Sequence, residues 1–184
     1  MTHPRMTVIT VNLNRASHIE PTICSVLDQA YPNLEYFVLD GGSTDGSIDL
    51  IRLYNDDLTA WRTRCDTGPA DAINEGLRHA TGDIIAFVHS GDLLLPGALE
   101  SVAEAMTRED APSWVVGQCR RIDERDEDCG LLPVASPSSA LAYLMHDSGL
   151  LPLTSSFIRR DLLLRHGAFD RQLRYGYDDE DGGR

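Results

Sequence analysis

The chain contains no lysine: all 16 of its basic residues are arginine, against 29 Asp and Glu, and the formal net charge is −13. The acidic excess runs through both halves, since residues 1–92 hold 6 basic and 13 acidic residues and the remainder holds 10 and 16. No segment is expected to form the basic face that binds a phosphate backbone, so nucleic acid is disfavoured as a partner. A nucleotide ligand would need a metal ion, a helix N-terminus or a few placed arginines.

Long apolar runs and a signal peptide are also missing. The start MTHPRMTVIT lacks an apolar stretch behind a basic region, and runs such as 84–88 are too short to span a bilayer. The four cysteines are widely spaced and form no CxxC pair, so free thiols in a reducing compartment are expected. These absences predict a cytoplasmic protein. Its work at a membrane would be peripheral, at the inner face, or would depend on a part missing from this sequence.

Two common nucleotide-binding signatures are absent. A GxGxxG fingerprint would follow the first strand, where this chain has Asn12-Leu13-Asn14-Arg15. No P-loop occurs either, so hydride transfer through that fingerprint and P-loop phosphoryl transfer are both disfavoured. Nucleotidyltransferases commonly carry a glycine-rich loop with a basic residue after the first strand, and this turn does not look like one. A nucleotidyltransferase is therefore a less favoured function for this chain.

Short β-rich runs alternate with helical patterns from residue 7 onward, which is typical of a mainly parallel sheet covered by helices. The first half predicts strands over 8–12, 36–40 and 84–88, and helices over 17–30, up to about 54, over 70–80 and over 96–106. The second half predicts a strand over 114–122, an acidic hairpin tip over 123–128, a strand from 131, a helix near 138–146, a strand over 153–158 and a helix over 161–165. Ser17 is predicted to cap the first helix, with Glu20 as its capping-box partner. The whole chain is predicted to be one α/β domain.

Polar side chains follow three predicted strands at their carboxyl ends. They are Thr10, Asn12 and Asn14 after the first, Asp40 and Asp45 after the second, and His89, Ser90 and Asp92 after the third. Ligands of open α/β sheets bind at that edge, so these side chains converge on one cleft if the strands are neighbours. A carboxylate such as Asp40 can accept from the imide N–H of a uracil, and Asp92 is a hard oxygen ligand suited to Mg²⁺ or Mn²⁺. Such a cation would neutralise a diphosphate that this acidic chain otherwise repels.

The order and spacing of five motifs are more specific than any motif alone. They are an opening strand that runs into a loop with Asn14, SVLDQAYPNLEY at 25–36, DGGSTDG at 40–46, DTGPADAINEG at 66–76 and ATGD at 80–83. In this series the chain resembles the family 2 glycosyltransferases, inverting sugar-nucleotide enzymes of the GT-A fold, from Met6 to Arg184. The resemblance implies a mainly parallel central sheet flanked by helices, with a nucleotide-sugar-binding half over about 6–110 and an acceptor-side half over about 111–184.

The resemblance also implies roles for individual residues. The positions that hold the nucleoside match Thr10, Asn12 and Asp40, and the last acid of the family's DxD-like motif, the metal ligand, matches Asp92. Further donor-pocket candidates are Asn14, Asp66, Gly68, Asp71, Asn74, His89, Ser90 and Gly91. Segments 154–160 and 167–170 look like the family's acceptor side, and Asp178 falls where the family places its general base.

The implied reaction is a single displacement. Asp178 takes the proton of an acceptor hydroxyl, that oxygen attacks the anomeric carbon of a UDP-sugar, and Mg²⁺ or Mn²⁺ at Asp92 stabilises the departing diphosphate. The expected acceptor is a glycan or polysaccharide hydroxyl. The motif at 89–92 keeps one carboxylate where many relatives carry two or three, and the sequence stops soon after Asp178 where relatives continue. A truncated or minimal form is therefore expected, and a donor-binding module without turnover is the alternative function.

Structural explanations compete for several of these residues. Asp40 and Asp45 lie beside glycines, where Asp often caps turns or helices; we favour nucleoside binding for Asp40 and a structural role for Asp45. Asp71 and Asn74 lie near a helix start, where capping is an equal alternative. The alternative for His89 is a hydrogen-bonded structural histidine. The alternative for the acidic run 178–181 is a solvated tail.

Overall fold

Parallel strands joined by helices form the first half of the computed structural model, which describes residues 3–123, 125, 127–132, 153–167 and 169. In chain order the elements of this half are β1 (Met6–Asn12), α1 (Ala16–Leu27), β2 (Leu34–Asp40), α2 (Ser47–Leu53), β3 (Ala60–Thr63), α3 (Pro69–His79), β4 (Ile84–Phe87) and α4 (Ala98–Met106). The remaining described elements are β5 (Trp114–Val116), β6 (Arg120–Ile122), β7 (Asp128–Leu131), a 3₁₀ turn (Leu153–Ser155), β8 (Ser156–Arg159) and α5 (Arg160–His166).

Six of the strands form one sheet in the order β3-β2-β1-β4-β8-β5. The pairs β1–β2, β1–β4 and β2–β3 are parallel, and β8 runs antiparallel to both of its neighbours. The mainly parallel sheet predicted from the sequence is therefore confirmed. Because β1, β2 and β4 are parallel neighbours, their carboxyl ends meet at one edge, where Asn12 lies in register with Asp40.

Apolar residues cover both faces of this sheet. All seven residues of β1 are buried, as expected for a central parallel strand with helices on either side. One face packs against Ile19, Ile23 and Val26 of α1 together with residues of α2 and α4. The other face packs against α3, where Gly76 lets the helix approach so closely that a Cβ there would meet Ile9 at 2.8 Å.

The start of α1 differs from the prediction. The residue that precedes the helix is Arg15, no side chain of the helix caps its own start, and Ser17 lies inside the first turn. The first helical N–H, that of Ala16, donates instead to Oδ2 of Asp45 at 2.8 Å, from the loop after β2. The Ser17 cap was wrong because the helix begins one residue earlier, at Ala16, and a carboxylate distant in sequence bonds its first N–H. The helix also ends at Leu27, and Ala30 lies outside it.

Two strands also differ from the prediction. The edge strand β3 was not foreseen, and the strand expected over 114–122 is divided into β5, which joins the main sheet, and β6, which pairs with β7 in a separate two-stranded ribbon. The predicted hairpin is confirmed at the described ends of its tip, where β6 pairs with β7 and the N–H of Asp123 donates to the carbonyl of Glu127 at 3.0 Å. Residues 153–155 form a 3₁₀ turn before β8 begins, and the helix predicted near 138–146 lies outside the described residues. In the part of the chain that the structure covers, no helix combines the length and apolarity that crossing a bilayer requires.

Candidate functional site

Asn12, the last residue of β1, joins the loops that follow the two neighbouring strands. Its Nδ2 donates to Oδ1 of Asp40 at 2.7 Å and to Oγ of Ser43 at 3.2 Å, and its Oδ1 accepts from the hydroxyl of Ser90 at 2.7 Å. Asn12 is 5% exposed, so these bonds are sheltered from water. The three polar clusters at the strand ends therefore meet, as the sequence predicted for adjacent strands.

Asp40 is fully buried and anchors the loop that follows β2. Oδ2 accepts from the N–H groups of Gly42 and Ser43 and from the hydroxyl of Thr63, while Oδ1 accepts from Asn12 and from the hydroxyl of Ser43. Burial alone would raise the pKa of Asp40, but the hydrogen bonds outweigh it and hold the pKa below its ordinary value. The carboxylate is thus ionised and has five protein donors. The imide contact predicted for Asp40 stays a prediction, and it would require one of these donors to move.

Thr10 lies within β1, and Asn14 follows β1 and contacts the loop after β2. Thr10 is fully buried inside the sheet and its hydroxyl is 3.0 Å from the Tyr36 hydroxyl. Asn14 is exposed and adopts a left-handed backbone with φ of 51°, which Asn tolerates better than most residues. Its N–H donates to Ser43 Oγ and its Oδ1 accepts from the N–H of Thr44, both at 2.8 Å. Asn14 therefore supports the loop and faces solvent, whereas Thr10 links β1 to β2 inside the sheet.

Asp45 has the structural role that the sequence favoured. Besides capping α1, its Oδ1 accepts from the N–H and the hydroxyl of Ser47 at the start of α2, at 3.0 and 2.6 Å. These bonds hold the pKa of Asp45 below its ordinary value. One exposed carboxylate therefore fixes the starts of two helices, α1 and α2, at the carboxyl edge of the sheet.

The segment that leads into α3 is organised by Arg62 of β3, which the sequence did not single out. Its guanidinium donates to the carbonyl of Asp40, lies 3.4 Å from Asp66 and forms an ion pair with Glu75 at 2.7 Å. Burial would raise the pKa of Glu75, but hydrogen bonds and charge from Arg62 keep the pKa below its ordinary value. The only sequence signal was the alternation Trp-Arg-Thr-Arg after a turn, which is short for a strand.

Asp66 and Gly68 lie in the turn before α3, and Asp71 lies in the first turn of the helix. Oδ1 of Asp66 accepts from the N–H of Gly68 at 3.2 Å, and Oδ2 of Asp71 is 3.5 Å from the N–H of Thr67. The structure thus brings these three predicted residues together where the chain enters α3, and their bonds fix the shape of this segment. Their contact with a donor stays a prediction.

Asn74 is placed differently from its neighbours. It is buried in α3, and both polar atoms of its side chain bond the backbone of Phe169. The capping role considered for Asn74 is absent from its observed bonds, since they lead to another segment. Its contact with a nucleotide sugar stays a prediction.

The loop from His89 to Asp92 is held from beneath by α1. The hydroxyl of Thr22 donates to the carbonyl of Asp92 and accepts from the N–H of Gly91, both at 3.0 Å. Gly91 has φ of +106°, which favours glycine at this sharp turn. Burial lowers the pKa of His89, and the negative charge of Asp92 offsets only part of this effect, so His89 is neutral at pH 7.

Asp92 offers a carboxylate that suits a divalent cation. Its Oδ2 accepts from the hydroxyl of Thr154 at 2.6 Å, and hard carboxylate oxygens are what Mg²⁺ and Mn²⁺ prefer. Among the described residues no three His, Cys, Asp or Glu side chains come together as a ready ligand set. A cation held by Asp92 would therefore draw most of its ligands from a bound diphosphate and from water, as Mg²⁺ commonly does beside phosphates.

Asp178, the predicted general base, and Asp170 of the predicted acceptor segment lie outside the described residues. The described part of that segment runs through the 3₁₀ turn, β8 and α5 to Phe169. Phe169 lies on the α3 face of the sheet, where its ring packs edge-on against Phe87 with 5.5 Å between the ring centroids.

This arrangement has a counterpart among known proteins. The sequence profile described as "Glycosyl transferase family 2" matches residues 7–166. The chain belongs to this family. An uncharacterized glycosyltransferase of Mycobacterium tuberculosis is 29% identical over 182 residues, which covers 96% of this chain and 67% of that protein.

Solved structures agree on the fold. The mannosyltransferase PcManGT from Pyrobaculum calidifontis, in complex with GDP-Man and Mn²⁺, matches with a TM-score of 0.70 and 24% identity over 94% of this chain and 49% of that one. S. aureus TarS in complex with UDP-GlcNAc matches with a TM-score of 0.70 and 20% identity over 88% of this chain and 47% of that one. The GT-A-type fold predicted from the sequence is thus confirmed, and the chain spans about half the length of these two structures.

Proposed function

We propose that this chain transfers a sugar from a nucleotide donor, foremost a UDP-sugar, to a hydroxyl of a glycan or polysaccharide, with inversion at the anomeric carbon. The observation that carries the proposal is the meeting of three strand-end loops at Asn12, with the Asp92 carboxylate at the end of the third. Residues 6–110 would bind the donor and residues 111–184 would contribute the acceptor side. Support for a nucleotide-sugar donor comes from the two matched structures, which hold UDP-GlcNAc and GDP-Man.

A divalent cation, Mg²⁺ or Mn²⁺, is part of the proposal because the chain is strongly acidic. With a net charge of −13, the protein would repel a nucleoside diphosphate unless positive charge is supplied at the site. When bound, the cation supplies that charge and stabilises the leaving diphosphate. Asp92 would hold it, with Ser90 and Gly91 shaping the loop around it.

The remaining proposed roles belong to protein side chains. The nucleoside would be bound by Thr10, Asn12, Asn14 and Asp40. The rest of the donor pocket would be lined by the turn at 66–71, Asn74 and His89. Asp178 would remove the proton of the acceptor hydroxyl; a placed base of this kind contributes on the order of 10²–10⁴-fold in rate. A cytoplasmic site of action is proposed because all four cysteines have free thiols, which a reducing compartment preserves. Any work at a membrane would take place at its inner face.

A donor-binding module without turnover is the second candidate. The observation that favours it is the single carboxylate of the 89–92 loop, since no group of three His, Cys, Asp or Glu side chains forms a ligand set within the described residues. Such a protein would bind UDP with the cation but would leave the sugar attached. The two candidates therefore make different predictions for the same assay.

The deciding experiment incubates the 184-residue chain with Mn²⁺ and a panel of UDP- and GDP-sugars and measures release of nucleoside diphosphate. Steady release that is lost in Asp92→Ala and in Asp178→Asn supports the transferase. Asp49→Ala serves as the matched control, since its side chain is 81% exposed and pairs with Arg52 on α2. Cation-dependent UDP binding without release supports the module, and no binding with or without Mn²⁺ contradicts both.

A further inference from the structure

We propose that Thr154 is a positioning residue that orients the Asp92 carboxylate toward the divalent cation, an inference that rests on the proposed function. The hydroxyl of Thr154 donates to Oδ2 of Asp92 at 2.6 Å, across 62 residues of sequence. This short bond to a charged acceptor is among the stronger kinds of protein hydrogen bond. It fixes one carboxylate oxygen and leaves Oδ1 to meet the cation.

The backbone of the loop is already fixed without Thr154. Thr22 is fully buried and bonds both the carbonyl of Asp92 and the N–H of Gly91. Ser90 is bonded to Asn12, which ties the loop to β1. The freedom that remains is the rotation of the Asp92 side chain, and the Thr154 hydroxyl restricts that rotation.

The sheet topology explains why these two residues meet. β8 runs antiparallel to β4, so the start of β8 lies beside the end of β4, with Ala86 opposite Phe157. Thr154 comes just before β8, and Asp92 comes shortly after β4. The turn that carries Thr154 is itself anchored, because Leu153 and Ser155 are buried and the carbonyl of Ser155 accepts from the N–H of Gly117 at 2.8 Å.

Residues that orient a metal ligand through a hydrogen bond typically change metal affinity by about 10–100-fold when they are removed. Thr154→Val keeps the shape of the side chain and removes its hydroxyl. We expect it to weaken Mn²⁺ binding in the presence of UDP by about tenfold, at the lower end of that range because the loop backbone stays fixed. Thr154→Ser keeps the hydroxyl and is expected to bind within about twofold of the wild type.

The test is a titration of Mn²⁺ into each protein at saturating UDP, followed by electron paramagnetic resonance of the free ion. Thr107→Val is the matched control, because the Thr107 hydroxyl bonds the carbonyl of Ala103 at the end of α4 and not the site. The proposal is supported if Thr154→Val loses affinity while Thr154→Ser and Thr107→Val do not. It is overturned if Thr154→Val binds like the wild type, or if Thr154→Ser is as weak as Thr154→Val.

Two further measurements keep the outcomes separate. Asp92→Ala should abolish the cation-dependent binding; if it does not, the proposed metal site fails, whatever Thr154 does. Circular dichroism and thermal unfolding of each variant check the fold. If Thr154→Val does not fold, Thr154→Ala replaces it, and the same comparison with Thr154→Ser decides.

Discussion

The side-chain amide of Asn74 bonds both polar atoms of the Phe169 backbone. Its Nδ2 donates to the carbonyl and its Oδ1 accepts from the N–H, each at 2.8 Å, across 95 residues of sequence. Asn74 is 4% exposed, so water does not compete for these bonds. Together with the ring contact between Phe169 and Phe87, they hold Phe169 against the α3 face of the sheet.

Asn74→Ala is expected to lower the free energy of unfolding by about 2–3 kcal/mol, because two backbone groups of Phe169 lose their buried partners. Urea denaturation measures this loss. Asn33→Ala is the control, because Asn33 is exposed and its side chain makes one long bond, to the carbonyl of His3. Equal stability of the two variants would contradict the expectation.

Asp40→Asn tests whether the carboxylate holds the loop after β2. One oxygen becomes an NH₂ that faces donors, so the free energy of unfolding should fall by roughly 2–4 kcal/mol. UDP affinity should fall with it, since the loop is part of the proposed pocket. Asp110→Asn, at an exposed position, should change neither quantity. A stable Asp40→Asn protein that still loses UDP affinity would instead favour direct contact with the nucleoside.

Glu35 should make stability depend on pH. It is 3% exposed and accepts from Thr7 and from the N–H and hydroxyl of Thr81. Burial would raise the pKa of Glu35, but these bonds hold it below its ordinary value. A carboxyl whose pKa is lowered by folding stabilises the protein above the unfolded pKa of about 4.3, and that contribution is lost as the pH falls through the folded value.

The measurement is the free energy of unfolding in urea between pH 3 and pH 7. Glu35→Gln should be less stable at pH 7 and should show a flatter decline below about pH 4.3 than the wild type. Glu104→Gln, at an exposed position on α4, should follow the wild-type curve. Parallel curves for Glu35→Gln and the wild type would show that Glu35 does not contribute to the pH dependence.

Arg62→Ala is expected to cost roughly 2–3 kcal/mol of unfolding free energy, because it leaves Glu75 without its closest cation in a mostly buried pair. Arg64 also pairs with Glu75 but is 61% exposed, against 17% for Arg62. Arg64→Ala should therefore cost less than about 1 kcal/mol. Thermal or urea unfolding of the two variants ranks the pairs, and the reverse order would refute the assignment.

The sequence predicted what depends on local pattern. The buried strand at 84–87 and the helix after Pro69 follow from apolar periodicity, and the convergence at Asn12 follows from parallel neighbours. What it missed depends on partners distant in the chain. Ser17 does not cap α1, because the helix begins at Ala16 and Asp45 bonds that N–H from the loop after β2. The role of Arg62 depends on a four-residue edge strand. Thr154 was assigned only to the acceptor side, because its contact with Asp92 exists only once β8 lies beside β4.

The insertion of β8 between β4 and β5 also has a consequence for biosynthesis. The four residues of β4 are all apolar and fully enclosed in the finished sheet, yet the strand that covers their outer side is made much later in the chain. Until residues 156–159 leave the ribosome, β4 is an open edge with unpaired backbone groups and apolar side chains, which can template pairing with another chain. Correct folding of this chain therefore requires β8 to reach β4 before another chain pairs with that edge.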